Sequence, residues 1–346
     1  MEVLIASPLF RPELAQRIAD TDDRVKVTYL PELLPRARWN GDGDGEGGVA
    51  LDDPRWEEPL QRAEAVFGIP GGGAEGLVDI VRRAPALRWV QARNAGAGQQ
   101  LGDALHLAPG ELENVVVTTS SGVHAGPLAE FALFGLLAFA KDLPKLLADQ
   151  RERHWPPGQQ PVGELRDRTL LIVGLGEIGT ETARLAQAFG MRVLAVKRDA
   201  SGEAPHVDEL HPADELPALV ARADGIVITL PLTDATRGLF DADTLAAVKP
   251  GAVLVNVGRG AVVDEAALAE RLQDGTFAGA ALDVFAEEPL PPDSPLWGLE
   301  NVIVSPHNVA LVDAEEARIV DLFCDNLRRR LAGEPLRNQL DPEVLY

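Results

Sequence analysis

From residue 168 onward, short apolar runs recur at near-regular intervals: 170–173, 193–196, 226–230, 253–257, 280–284 and 302–304. Each is an almost unbroken stretch of Val, Ile, Leu and Ala, and each interval leaves room for one helix or connection. Unbroken apolar runs mark strands covered on both faces, so six of them separated by crossovers predict a doubly wound parallel sheet. The first third is less regular. Runs at 3–6, 65–68, 87–91 and 115–118, with a helix over 76–83, predict a smaller parallel sheet. Residues 128–140 are apolar except for Glu130 and end at Lys141, a buried helix shorter than the roughly 18–20 residues a membrane span needs. Over 312–331, Ala317, Val320, Leu327 and Leu331, with Ile319 and Phe323 alongside, have the spacing of an amphipathic helix that packs back on the first third. The expected division is therefore a discontinuous domain of residues 1–121 plus 311–346, and a second domain of 122–310.

Composition narrows the class. The chain has 346 residues, 46% hydrophobic and 25% charged, an ordinary globular balance that excludes collagen-like, coiled-coil and wholly disordered chains. Its formal charge of −22 repels phosphate backbones and anionic lipid, so neither nucleic acid nor membrane is an expected partner. Lysine occurs only five times; a lysine-poor acidic surface fits adaptation to high salt, and GC-rich coding produces the same usage. A single cysteine, Cys324, forms no intrachain disulfide, and the amino terminus lacks the basic and long apolar regions of a signal peptide, which together point to the cytoplasm. The stretch 39–53, rich in Gly and Asp, reads as a mobile surface loop that buries nothing. It lacks the closing Glu of an EF-hand, and no Cys/His/carboxylate cluster has metal-ligand spacing.

The strongest local signal is Gly174-Leu-Gly176-Glu177-Ile178-Gly179, placed directly after an apolar strand and ahead of a helix over about 177–189. Glycine at 174 permits the tight turn, at 176 lets backbone approach a pyrophosphate, and at 179 lets helix pack on strand. The free N–H groups and positive end of the helix then face the phosphates. The next strand ends in Lys197-Arg198, where NAD-selective folds place an acid for the ribose hydroxyls. Cations there attract a 2′-phosphate, so NADP(H) is the expected cofactor, with NAD(H) as the alternative.

Arg259, Asp283, Glu288 and His307 follow the fourth, fifth and sixth strands of the regular sheet, at the carboxyl rim where such folds bind ligands. An arginine, a carboxylate and a histidine at one rim can hold a carboxylate substrate and deliver a proton to a carbonyl beside a nicotinamide. Singly, each has a plainer reading: a surface ion pair, a helix cap, a satisfied polar residue at a strand end. Their joint placement favours chemistry.

With these motifs the chain resembles the D-isomer-specific 2-hydroxyacid dehydrogenase family over nearly its whole length. The likeness rests on the glycine fingerprint with Ala188-Phe-Gly-Met-Arg-Val, on Leu230-Pro-Leu-Thr, Asn256-Val-Gly-Arg-Gly, Ala281-Leu-Asp-Val-Phe-Ala-Glu-Glu-Pro-Leu and Ser305-Pro-His. The resemblance implies two Rossmann-like α/β domains: a doubly wound dinucleotide-binding domain and a smaller flavodoxin-like substrate domain, closing on a cleft with hinges near Gly122 and Asn308. It implies an NAD(P)-dependent dehydrogenase acting on the CH–OH group of a small 2-hydroxy acid, or reducing the 2-keto acid. Arg259 resembles the family's substrate-carboxylate ligand, His307 its acid/base and Glu288 the partner that favours the charged imidazole. Asp283 resembles the aspartate facing the nicotinamide carboxamide, and Leu230, Pro231, Val257, Gly258 and Ala310 are further cofactor contacts. Ala95 and Gly96 fall in the substrate-side loop, where Arg93 is either another anion contact or a solvated residue. The resemblance also suggests a homodimer through residues 128–147.

Within that frame the expected substrates are glyoxylate, hydroxypyruvate or a small aliphatic 2-keto acid. The same-class alternative is an NAD-linked phosphoglycerate or formate dehydrogenase; the different-class alternative is a dinucleotide-sensing binding module like the family's corepressors. One departure stands out: Asn308-Val309-Ala310 follows the histidine, where many members carry small glycine-containing sequences.

Overall fold

The computed structural model describes residues 1–342 except Asn40, Gly41, Gly43, Gly47, Gly48, Ala50 and Gln159. The chain divides into two compact units, Met1–Val123 with Leu311–Tyr346, and His124–Ala310. The division falls after Val123, where the sequence pattern suggested 121.

The first unit begins with β1 (Glu2–Ile5), α1 (Leu14–Ala19), β2 (Lys26–Tyr29), α2 (Glu57–Arg62) and β3 (Ala65–Phe67). It continues through α3 (Ala74–Arg83), β4 (Trp89–Gln91), α4 (Gly98–Leu107) and β5 (Val116–Thr118). Its five strands form one sheet in the order β2-β1-β3-β4-β5, every pairing parallel.

The second unit opens with α5 (Ala125–Ala140) and α6 (Leu143–Glu152). Then follow β6 (Thr169–Val173), α7 (Glu177–Ala188), β7 (Arg192–Val196), β8 (Glu209–His211), α8 (Leu216–Val220) and β9 (Gly225–Ile228). The unit ends with α9 (Ala242–Ala246), β10 (Ala252–Asn256), α10 (Glu265–Gln273), β11 (Phe277–Leu282) and β12 (Val302–Val304). The seven strands are all parallel, in the order β12-β11-β10-β9-β6-β7-β8. Apolar clusters cover both faces, which is why β6, β9 and β10 read as unbroken apolar runs. Helix α5 lies so close to one face that a Cβ at Gly135 would stand 2.7 Å from Ala281 Cβ. Strand order reverses between β6 and β9, so the loops leaving those strands part and open a crevice at the carboxyl edge.

The last helix, α11 (Glu315–Ala332), packs on the first unit's sheet. Phe323 sets its ring 4.8 Å from Trp89 and 5.0 Å from Phe67, centroid to centroid. No helix among the described residues is long and apolar enough to cross a membrane.

Three features depart from the pattern reading. Two strands had no apolar signature: β2, which starts on exposed Lys26, and β8, whose residues Glu209, Leu210 and His211 are only part-buried. Both are edge strands, paired on one side only, so neither needs an unbroken apolar run. The glycine-rich stretch lies partly outside the described residues, yet its described part does bury side chains. Asp42 is buried and accepts from Arg38 and from the N–H groups of Asp44 and Gly45, while Val49 and Leu51 join the core.

Arg93 is neither solvated nor open to a ligand. Its guanidinium donates to Ser7 Oγ, to Pro8 O and, at 3.0 Å, to Glu316 Oε1 of α11, with both side chains buried. The Glu316 carboxylate also accepts the N–H groups of Phe10 and Arg11. Removing one partner of such a pair strands the other charge in a dry interior. Glu316→Ala should therefore cost about 3–5 kcal/mol, read as a lowered urea midpoint for the first unit, and a wild-type midpoint would contradict a buried tie.

Candidate active site

The glycine turn sits at the order reversal. Gly174, with φ of 107°, follows β6, and a Cβ there would stand 2.8 Å from Thr229 Oγ1 and 3.0 Å from Leu230 Cδ2. Thr229 Oγ1 donates to Gly174 O at 2.6 Å, tying the loops after β6 and β9 together. A Cβ at Gly179 would lie 2.1 Å from Gly174 O, and one at Gly258 2.6 Å from Leu230 O. Side chains are thus shut out at all three positions, and helix and loops pack backbone to backbone. Gly176 differs: it caps α7 without any side-chain cap, is exposed, and a Cβ there would meet nothing within 4 Å. The uncapped N–H groups of α7 therefore lie beside open space, which fits a dinucleotide pyrophosphate.

Lys197 and Arg198 are exposed at the end of β7. The nearest following carboxylate, Asp199, is occupied in its own turn, accepting from Ser201 N at 2.9 Å and Ser201 Oγ at 2.6 Å. Those hydrogen bonds, and after them the two cations, lower its pKa. Beside it, Lys197 N–H donates to His211 O, and the His211 ring lies between Glu215 and Glu209.

The three candidate catalytic residues follow three adjacent strands. After β10, Asn256 shapes the turn: its Oδ1 accepts Gly258 N–H at 3.0 Å and its Nδ2 donates to Arg259 O at 3.1 Å. Arg259 is exposed, makes one side-chain hydrogen bond, to Gly258 O, and no ion pair among the described residues.

After β11, Asp283 is 1% exposed. Its Oδ1 accepts Asn308 N–H at 3.0 Å and Val309 N–H at 3.3 Å, and lies 2.7 Å from Ser305 Oγ. Burial raises the pKa of this carboxyl, and the hydrogen bonds of Ser305, Val309 and Asn308 act against that rise. The bonds brace the turn after β12, where His307 has a φ of 52°, a left-handed conformation unfavourable for a residue with a Cβ. His307 Nδ1 lies 2.8 Å from Glu288 Oε2. A carboxylate can only accept, so Nδ1 carries the proton and Nε2 is left for a ligand.

The D-isomer specific 2-hydroxyacid dehydrogenase, NAD binding domain family matches residues 133–309. A glyoxylate/hydroxypyruvate reductase B from Pectobacterium carotovorum subsp. carotovorum is 36% identical over 282 residues, which is 80% of this chain and 86% of the relative. The chain belongs to the D-isomer specific 2-hydroxyacid dehydrogenase family. Two solved structures extend the likeness to both units. A member from Xanthobacter autotrophicus Py2, in complex with NADPH and MES, is 31% identical with a TM-score of 0.76 and covers 100% of this chain and 99% of its own. An NADPH-dependent glyoxylate/hydroxypyruvate reductase from Sinorhizobium meliloti, in complex with NADP and sulfate, is 27% identical with a TM-score of 0.74 and the same coverage. A nicotinamide dinucleotide is accordingly the cofactor of this family member.

The remaining expected residues occupy varied settings. Glu177 is exposed in the first turn of α7, and Ile178 is half-buried against the sheet. Leu230 is half-buried and Pro231 exposed. Val257 is buried in the apolar cluster with its N–H donating to Ile228 O, and Ala310 is half-buried against the same cluster. In the other unit, Ala95 and Gly96 are exposed between β4 and α4. The sequence reading assigned no role to Asn256, Ser305 or Asp199. A lone Asn ending a strand and a Ser two places before a His are weak signals, since such residues bond their own backbone in many turns.

The left-handed turn gives a stability test that is independent of turnover. Glycine usually destabilises relative to alanine, but at 307 the order should reverse. His307→Gly should be more stable than His307→Ala by about 1 kcal/mol in urea unfolding, and the opposite order would mean the turn is not left-handed in solution.

Proposed function

We propose that this dehydrogenase is an NADP(H)-preferring, D-specific reductase of small 2-keto acids, with glyoxylate and hydroxypyruvate as first candidates, working in the cytoplasm. The observation that carries this reading is the His307–Glu288 pair, with the His307 Nε2 left for a ligand, on the two strands next to that of an Arg259 that is in no ion pair among the described residues. A bound reduced nicotinamide supplies hydride to the carbonyl carbon of the keto acid. Arg259 offers two parallel N–H donors to the substrate carboxylate, a geometry that orients as well as attracts. Protonated His307 gives its Nε2 proton to the carbonyl oxygen as that oxygen gains charge, and Glu288 holds the ring and stabilises the imidazolium through Nδ1. Asp283 holds the turn that presents His307, and the glycine cradle with uncapped α7 receives the pyrophosphate. The reductase name of the Pectobacterium relative supports the substrate class.

In this reading the His124–Ala310 unit binds the dinucleotide, and the unit carrying Ala95 and Gly96 contributes substrate contacts. A homodimer through residues 128–147 is supported by Phe134, Leu146 and Leu147, which stay 45%, 55% and 46% exposed.

NADPH oxidation across glyoxylate, hydroxypyruvate and pyruvate tests the activity, and no turnover with any of them would overturn it. Cofactor preference rests on Lys197 and Arg198. Lys197→Asp with Arg198→Ala should reduce kcat/KM for NADPH by about 10- to 100-fold, with a smaller change for NADH. A wild type that uses NADH as well as NADPH would refute the preference. For the site itself, His307→Ala should lose about 10²–10⁴-fold in kcat while binding NADPH normally. Arg259→Lys should raise KM for the keto acid steeply, because an ammonium lacks the two-donor fork.

A further inference from the structure

Arg259 and Glu288 stand on different loops, and their backbones meet directly. Gly260, next to Arg259, is buried against the other loop: a Cβ there would lie 1.8 Å from Phe285 C and 2.3 Å from Ala286 N. The two N–H groups at that contact are each taken by a carboxylate. Phe285 N–H donates to Glu288 Oε1 at 3.0 Å. Ala286 N–H donates to Glu265 Oε1. Glu265 is the first residue of α10, whose N-cap Asp264 accepts Ala267 N–H at 3.0 Å, and this helix start is continuous with the Arg259 loop.

A connected path follows. It runs from the Arg259 loop into α10, through Glu265 to Ala286, along the backbone to Glu288, and from Glu288 Oε2 to His307 Nδ1. A first-turn glutamate usually faces solvent and helps its helix only through the macrodipole. Glu265 instead turns its half-buried carboxylate onto a neighbouring loop. It does so at a cost: burial raises its pKa, the Ala286 hydrogen bond acts against that rise, and the charge of Glu288 adds to it. A neutral acceptor would avoid that cost, and a surface residue would not incur it.

We propose that Glu265 is a positioning residue for the keto-acid reaction: it holds the Phe285–Glu288 turn in register with Arg259, so that the proton donor and the carboxylate clamp address one substrate together. This rests on the reading of His307 and Arg259 given above. Without the Glu265 bond the Phe285–Glu288 turn keeps its own Glu288 bond and its packing on Gly260 but loses its hydrogen-bonded tie to the helix that continues the Arg259 loop, so Glu288 can shift slightly relative to Arg259. Misplacement by a fraction of an ångström to an ångström costs on the order of 10- to 100-fold in rate.

The test measures kcat and KM with NADPH and glyoxylate, NADPH affinity by fluorescence and the melting temperature, on the full-length enzyme. Glu265→Ala should lower kcat by about 10-fold with NADPH affinity unchanged. Glu265→Asp keeps the charge and the favourable helix start but is one methylene too short to reach Ala286, so it should lose about as much. Glu265→Gln keeps the acceptor at full reach and should recover most of the loss. In Glu265→Ala/His307→Ala the loss should match that of His307→Ala alone, because the register of the turn matters only while the proton donor is present. Full kcat in the Asp variant, failure of Gln to recover, or losses that multiply in the double variant would each overturn the proposal. Should the Ala variant not fold, the Asp and Gln variants decide alone. His307→Ala separates the two levels: if it retains kcat, the catalytic reading fails and this proposal with it, whereas loss in His307→Ala with full kcat in Glu265→Asp removes only the role of Glu265.

Discussion

One buried carboxylate oxygen organises the proposed chemistry. Asp283 Oδ1 gathers Ser305 Oγ and the N–H groups of Asn308 and Val309, and the turn it closes keeps His307 in a left-handed conformation that the residue would not adopt alone. The cost of that conformation is about 1–2 kcal/mol, comparable to one or two hydrogen bonds, so three contacts to one anionic oxygen suffice to impose it. What the strain secures is direction. The ring turns Nδ1 to Glu288 and leaves Nε2 for a ligand, and the Glu288 that receives it is five residues along the same loop as Asp283. Two carboxylates on one strand end thus hold the histidine by backbone and by ring.

The fold makes this affordable because the catalytic side chains follow consecutive strands. β10, β11 and β12 lie side by side, and Arg259, Glu288 and His307 leave their carboxyl ends in that order. The cofactor cradle lies two strands away, after β6. Nothing need bridge the distance except the loop after β9, whose Thr229 and Leu230 are met closely by Gly174 after β6 on one side and by Gly258 after β10 on the other. Small residues at loop contacts and bulky ones in the strands therefore serve one end: rigid strands fix where each loop starts, and glycines fix how closely the loops converge.

Legibility in the sequence followed burial. Strands covered on both faces were unbroken apolar runs and could be read directly, whereas β2 and β8 carry polar edge residues such as Lys26, Glu209 and His211 and could not. Arg259, Glu288 and His307 were legible as motifs because the chemistry demands their types. Their supports were not. Asp283 was expected to face the nicotinamide carboxamide, and the structure adds that its Oδ1 closes the histidine turn; no local pattern reports a bond to Val309, 26 positions on. Arg93 illustrates the same limit, since its partner Glu316 lies 223 positions away. An arginine in a glycine-rich loop looks like an anion ligand until that distant carboxylate is placed against it.

The acidic composition adds a last constraint. A chain of formal charge −22 must draw in two anions, a dinucleotide and a keto acid, against its own field. Screening confines that field to about 8–10 Å at physiological ionic strength, so capture depends on cations at the site and not on the average. Arginines elsewhere are mostly consumed by carboxylates: Arg24 by Asp22, Arg82 by Glu111, Arg184 by Glu181, Arg222 by Glu209. Arg259 and Lys197 are in no ion pair among the described residues, and both stand at the carboxyl edge of the same sheet. Their isolation keeps the local potential positive where the proposed ligands are anionic, and the rest of the acidic surface then discourages binding of polyanions anywhere else.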